Sequence, residues 1–168
     1  MELETLKWYM PGVLDAKSRN DLEYTMEQRV ELVKCANDII YFCENYFKIF
    51  VQDQGGWVAW KDAIVPDSGG WMGMWDFQKD FLRLLAADSN VIAKWPRQVG
   101  KSTCTRAYLL WYVLFNKNKT CLILANKEDM AIEQLDLLKE SLYELPYWMQ
   151  GGGVAKANTT TLTLGNSS

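Results

Sequence analysis

Histidine is missing altogether from the 168 residues. Its absence removes the commonest general base and the commonest neutral metal ligand. Cysteine is sparse: Cys35, Cys43, Cys104 and Cys121 lie far apart in apolar runs, with no CxxC pair. That spacing supplies no zinc site and favours reduced, buried thiols in a cytoplasm. No apolar run approaches a membrane span, and Met1-Glu2-Leu3-Glu4 is acidic where a signal peptide would be basic. No membrane partner is expected. Positive charge is not in surplus either. A net charge of -3 and a pI near 5.1 argue against a broadly basic nucleic-acid surface, though not against a local patch.

What is present is globular in composition, with 49% apolar and 23% charged residues. The length suits one domain, or one domain with part of a second, and lets the chain bury roughly 70% of its unfolded surface.

The chain is organised around Lys94-Trp95-Pro96-Arg97-Gln98-Val99-Gly100-Lys101-Ser102-Thr103. A β-branched apolar run, Asn90-Val91-Ile92-Ala93, precedes it, and an apolar stretch from Cys104 to Phe115, long enough for a helix, follows. Strand, tight loop, Gly-Lys-Ser and helix make the context of a phosphate-binding loop. Gly100 lets backbone approach phosphate, Lys101 brings a mobile cation to the β and γ oxygens, and Ser102 offers a hydroxyl to magnesium. The helix N-terminus adds unpaired N–H groups and positive partial charge. The first glycine of the usual pattern is replaced by Trp95. On the tripeptide alone, a plain turn at a helix start reads equally well.

Elsewhere the signals are mostly architectural. Leu3, Leu6 and Trp8 to Met10 predict a short helix stopped at Pro11-Gly12. Met26, Val30, Val33, Ala36, Ile40, Cys43, Phe47 and Phe50 step by three and four, predicting one long amphipathic helix. Two glycine-aromatic stretches follow, Gly55-Gly56-Trp57 and Gly69-Gly70-Trp71. The first predicts a hairpin joining Ile49–Val51 to Trp57–Lys61. Aromatic clusters can stack on bases, but without interleaved Lys or Arg packing is the favoured reading. Next, Trp75 to Leu82 opens a helix that runs to about Ala87. Its Phe77-Gln78 pair has two readings. A glutamine amide matches the N6 and N7 edge of adenine while an aromatic ring covers its face; or Phe77 and Phe81 are core and Gln78 is simply exposed.

Beyond the loop, Thr120 to Ala125 has the continuous apolar character of a doubly covered parallel strand. Asn126 is placed to cap a helix carrying Ala131, Leu135, Leu138, Leu142 and Leu145 as far as Pro146. The triple glycine 151–153 leads into a hairpin formed by Val154–Ala157, a turn at Asn158-Thr159 and Thr161–Leu164. The predicted fold class is therefore α/β, a partial parallel sheet of phosphate-loop NTPase type flanked by helices, with a helical lead-in. Residues 1–75 form the lead-in with its hairpin. Residues 76–168 form an ATPase core that stops before the strand carrying a magnesium aspartate and catalytic glutamate.

With these residues in view, the chain resembles the beginning of the ATPase domain of tailed-bacteriophage terminase large subunits, the motors that package DNA. The likeness runs from about Glu27 to Ser168. It rests on the Glu27-Gln28-Arg29 helix through Tyr46-Phe47, on Asp76-Phe77-Gln78-Lys79-Asp80, and on Arg97-Gln98-Val99-Gly100-Lys101-Ser102-Thr103. Leu124-Ala125-Asn126-Lys127, Glu144-Leu145-Pro146 and Leu164-Gly165-Asn166-Ser167-Ser168 extend it. Loops of that family often lack the first glycine and carry an early arginine.

The resemblance implies ATP and Mg2+ as cofactors. It implies adenine contact at Gln78 with Phe77, and phosphate binding across Gln98, Val99, Gly100, Lys101, Ser102 and Thr103. Arg97 and Lys101 become the catalytic cations, and Ser102 the magnesium ligand. For the complete protein it further implies double-stranded DNA, a portal protein and a terminase small subunit as partners. The setting would be the host cytoplasm at the procapsid portal, not the mature virion, with a nuclease further along. The chain by itself is expected to hydrolyse ATP negligibly. A helicase-like ATPase and a catalytically silent module docking on portal or small subunit remain the alternatives.

Overall fold

The computed structural model describes residues 24–64, 70–87, 90–150 and 154–165. The expected helix near Leu3 to Met10, Gly69 of the second glycine pair and the triple glycine 151–153 lie outside those residues.

Helix α1 (Met26–Asn37) begins with a reciprocal cap. The Gln28 backbone N–H donates to Thr25 Oγ1 at 3.2 Å, and the Thr25 N–H donates to Gln28 Oε1 at 3.0 Å. The single long helix expected from Met26 to Phe50 is instead broken at Asp38, whose backbone is extended. The physical reason is local. Asp38 Oδ1 accepts from the N–H groups of Ile40 at 2.8 Å and Tyr41 at 3.2 Å, which starts a new helix, α2 (Ile39–Asn45). The break also changes the buried face. Leu32, Cys35, Ile39, Phe42, Cys43 and Phe47 are buried, whereas Met26, Val30 and Phe50 are exposed.

Strands β1 (Lys48–Val51) and β2 (Gly56–Ala59) form the expected hairpin in antiparallel register, Lys48 opposite Ala59 and Val51 opposite Gly56. Gly55 closes the turn at φ 76°, which favours glycine. The second glycine-aromatic stretch folds back beneath it through an antiparallel bridge between Ile64 and Met72 and a 2.9 Å bond from the Gly73 N–H to the Ala63 carbonyl. Helices α3 (Asp76–Ala86), α4 (Lys101–Phe115) and α5 (Glu128–Tyr143) follow, and β3 (Val154–Ala157) pairs antiparallel with β4 (Leu162–Leu164). The residue capping α5 is Lys127, not Asn126.

The predicted parallel sheet does not form. Among the described residues the strands make two separate two-stranded antiparallel sheets, and the rest of the regular structure is mainly helical. Neither 90–96 nor 120–125 is a strand, and Ile92 is 100%, Leu122 79% and Leu124 82% exposed. An apolar β-branched run favours extended backbone, but a strand exists only where a neighbour completes its hydrogen-bond ladder. No described segment pairs with either run.

The core runs from α1 to β4 and draws on both sides of residue 75. Phe42 lies at its centre, with ring centroids 5.7 Å from Phe115 and 6.5 Å from Phe47, which in turn lies 5.7 Å from Trp60. Each such buried apolar side chain contributes about 1.5–3 kcal/mol. Polar ties set the helices around it. Trp111 Nε1 donates to the Cys35 carbonyl at 2.7 Å, joining α4 to α1, and Lys79 pairs with Glu44 at 2.7 Å, joining α3 to α2.

Candidate functional site

The loop that enters α4 is held by α3 at two points. At its start, Trp95 takes the position of the missing first glycine, and its ring lies 4.6 Å from Phe81 and 5.3 Å from Phe77, centroid to centroid. The departure from the usual pattern thus has a mechanical use: the indole anchors the loop to α3. At the loop's far end the Gln78 carboxamide makes two bonds. Its Nε2 donates to the Val99 carbonyl at 3.0 Å, and its Oε1 accepts from the Trp75 N–H at 3.0 Å. Gln78 is 6% exposed, one of only two buried polar side chains among the described residues. It is neither simply exposed nor an amide turned wholly toward a base.

Between the two anchors, Pro96, Arg97 and Gln98 are exposed, and Gln98 adopts φ 64°. Gly100 follows at φ 77° and caps α4. A Cβ at Gly100 would approach Gln78 Nε2 to 2.7 Å. Glycine is required there twice over, by the left-handed backbone and by the amide packed against it. Lys101 and Ser102 are exposed in the first turn of α4, where the helix N–H groups have no intrahelical partners, and Thr103 is half-buried behind them. Arg97 forms no ion pair with any described residue; Asp88, its nearest sequence candidate, lies outside them.

A cavity of about 460 Å3 opens beside this loop. The loop contributes Gln98, Val99, Gly100 and Thr103, and α3 contributes Gln78 with Trp75 just ahead of it. The β1–β2 hairpin contributes Phe50, Val51, Gln52 and Asp53, and Gly73 also lines the cavity. Phe77, expected beside Gln78, is not in the lining; its ring packs on Trp75 at 5.2 Å and on Trp95. Consecutive helical residues point about 100° apart, so Phe77 and Gln78 diverge. Trp75 lines the cavity in its place. A larger cavity of about 530 Å3, between α4, α5, residues 119–123 and β4, is lined mainly by aliphatic and threonine side chains and touches none of the loop.

Spacing reasoning reached the loop and Gln78 but missed Trp75, Phe50, Gln52 and Asp53. The glycine-aromatic repeat was the one available signal for them, and it carried no direction. Arg106, one turn beyond the loop on α4, also went unnoticed. Burial pushes its guanidinium pKa down, opposed by the carboxylate of Glu140, and its Nε has no hydrogen-bond partner among the described residues. Among the described residues no group of three Cys, Asp or Glu side chains is placed to hold a metal ion. No helix among them is long and apolar enough to cross a membrane. No known protein-family model matches the chain.

Proposed function

We propose that the loop from Lys94 to Thr103 binds the triphosphate of ATP, and that the chain is the nucleotide-binding part of a DNA-packaging ATPase of the terminase large-subunit kind. The observation that carries the binding reading is the Gln78–Val99 clamp. It holds Gly100 at the mouth of α4, with Lys101 and Ser102 exposed, beside a cavity in the size range of ligand sites. Phosphate oxygens would meet the free N–H groups of the first turn and the Lys101 ammonium. Magnesium usually keeps several waters and rides on substrate phosphates. The exposed Ser102 hydroxyl is a ligand that an ion bound in that way could use. The DNA-packaging assignment rests on the sequence resemblance, and so do double-stranded DNA, portal protein and small subunit as partners and the host cytoplasm as location.

The test is ATP and inorganic tripolyphosphate binding by calorimetry, with magnesium, on wild type and Lys101→Ala. Loss of both ligands in the variant is expected; equal binding by both proteins would refute the phosphate site. Arg97, exposed beside the loop, is proposed to deliver charge to the terminal phosphate as its bond breaks. In the complete protein Arg97→Ala should lower kcat by at least about a hundredfold with ATP affinity nearly intact. Near wild-type turnover would end that role. A second reading, a silent docking module, draws on the exposed Ile92, Leu122 and Leu124; it requires that ATP not bind.

A further inference from the structure

We propose that the β1–β2 hairpin is the nucleoside-recognition element of the site, and that the base and sugar of a purine nucleoside triphosphate occupy the cavity between Phe50–Asp53 and the clamped loop. The inference rests on the phosphate-loop reading and goes beyond it by assigning the base to a different set of residues. Three observations carry it.

The first is continuity. The cavity is lined by Gln98, Val99 and Gly100, the residues that lead directly into the α4 N-terminus, so a ligand whose phosphates lie there adjoins the cavity. The second is chemistry. The cavity lining includes the aromatic residues Phe50 and Trp75 and the carboxamide residues Gln52 and Gln98. Neither carboxamide has a hydrogen-bond partner among the described residues. A carboxamide presents a donor and an acceptor side by side, the complement of a purine's hydrogen-bonding edge, and Asp53 on the same rim can accept from sugar hydroxyls. Gln78 has one strong bond at each end already, so its part is to position the loop.

The third observation is that the hairpin is fixed rather than loose. Gln54 staples its turn to the following segment, accepting from the Ile64 N–H at 2.8 Å and donating to the Asp62 carbonyl at 3.0 Å. Lys48 anchors its other end to Glu144 at 3.0 Å. Phe50 is nevertheless 61% exposed, its ring resting 5.8 Å from Trp57. An exposed aromatic side chain on a stapled hairpin that lines the cavity is available to stack on a planar ligand.

The experiment compares ATP with inorganic tripolyphosphate on the full chain, by calorimetry with magnesium, in wild type, Phe50→Ala and the double variant Gln52→Ala/Gln98→Ala. Phe50 is exposed, so its removal should leave the far-ultraviolet circular dichroism and melting temperature unchanged. Wild type should prefer ATP to tripolyphosphate. Phe50→Ala should lose about tenfold in ATP affinity, the scale of one base–aromatic stack, while tripolyphosphate binds as before. The double variant should compress the difference between ATP and UTP. If wild type binds tripolyphosphate as tightly as ATP, or if Phe50→Ala leaves their ratio unchanged, the hairpin assignment is overturned and the phosphate site stands. If tripolyphosphate binding is absent, or is indifferent to Lys101→Ala, the phosphate reading falls and the hairpin assignment with it.

Discussion

At the scale of single residues, Gly100 and Gln78 act as one unit. Gly100 supplies a backbone conformation that costs other residues about 1–2 kcal/mol, and it leaves room for an amide that a Cβ would meet at 2.7 Å. Gly100→Ala should therefore destabilise the chain in urea and weaken tripolyphosphate binding. Gln78→Ala removes the atom with which the new methyl would collide. The losses in the double variant should then fall short of the sum of the singles, because contacting residues couple. Strict additivity would show that the close approach has no energetic weight. The residue scale also explains why the loop tolerates a tryptophan at its start. Trp95 makes no demand for close phosphate approach there; it packs on Phe77 and Phe81 instead.

At the scale of elements, the pairing of α1 with α2 turns on one carboxylate. Glu31 accepts from Lys34 Nζ, Tyr41 Oη and Tyr46 Oη, each at 2.7 Å. The Lys34 bond first, then the Tyr46 hydroxyl, hold its pKa down from 4.5 to about 2. A depressed folded-state pKa means stability that is present above the unfolded value and lost as pH falls through the folded one. The difference in urea midpoint between wild type and Glu31→Gln should be largest above about pH 4.5 and should vanish toward pH 2. A difference that stays constant across that window would mean the three donors do not read the charge. The same network explains how two helices interrupted at Asp38 stay in register: Glu31 of α1 binds Tyr41 of α2 and Tyr46 at its C-terminal end.

At the scale of the molecule, the core and the apolar surface are distributed unevenly. Buried side chains join the helices and both hairpins, yet Ile92, Leu122 and Leu124 stand in solvent on segments whose backbone meets no described strand. Exposed apolar segments with unpaired backbone promote association. Sedimentation at rising concentration should show self-association of the wild-type chain and a monomer for Leu122→Lys/Leu124→Lys. Identical behaviour of the two would place the association surface elsewhere.

Much of the helical fold was legible in the sequence. Apolar periodicity located α5 and an apolar run of helical length located α4, because a helix satisfies its own backbone within the segment; α3 was read from Trp75 to about Ala87. The glycine pair and the asparagine turn located the two hairpins for a similar reason, since a tight turn brings its own partner strand. The loop chemistry from Arg97 to Thr103 was equally local. Sheet formation was not, because Val91 to Ala93 and Cys121 to Leu124 carry the residue types of strands while pairing depends on a neighbour that no local pattern specifies. The break at Asp38 escaped an apolar period that runs straight across it. The enclosure of the site was also beyond reach: Phe50, Trp75 and Gly100 come from three separated segments, and only their packing together encloses a cavity. The sequence by itself determined which residue types the loop from Arg97 to Thr103 carries. Tertiary structure decided which side chains face the space beside it, because that depends on how rigid elements pack and not on any repeat along the chain.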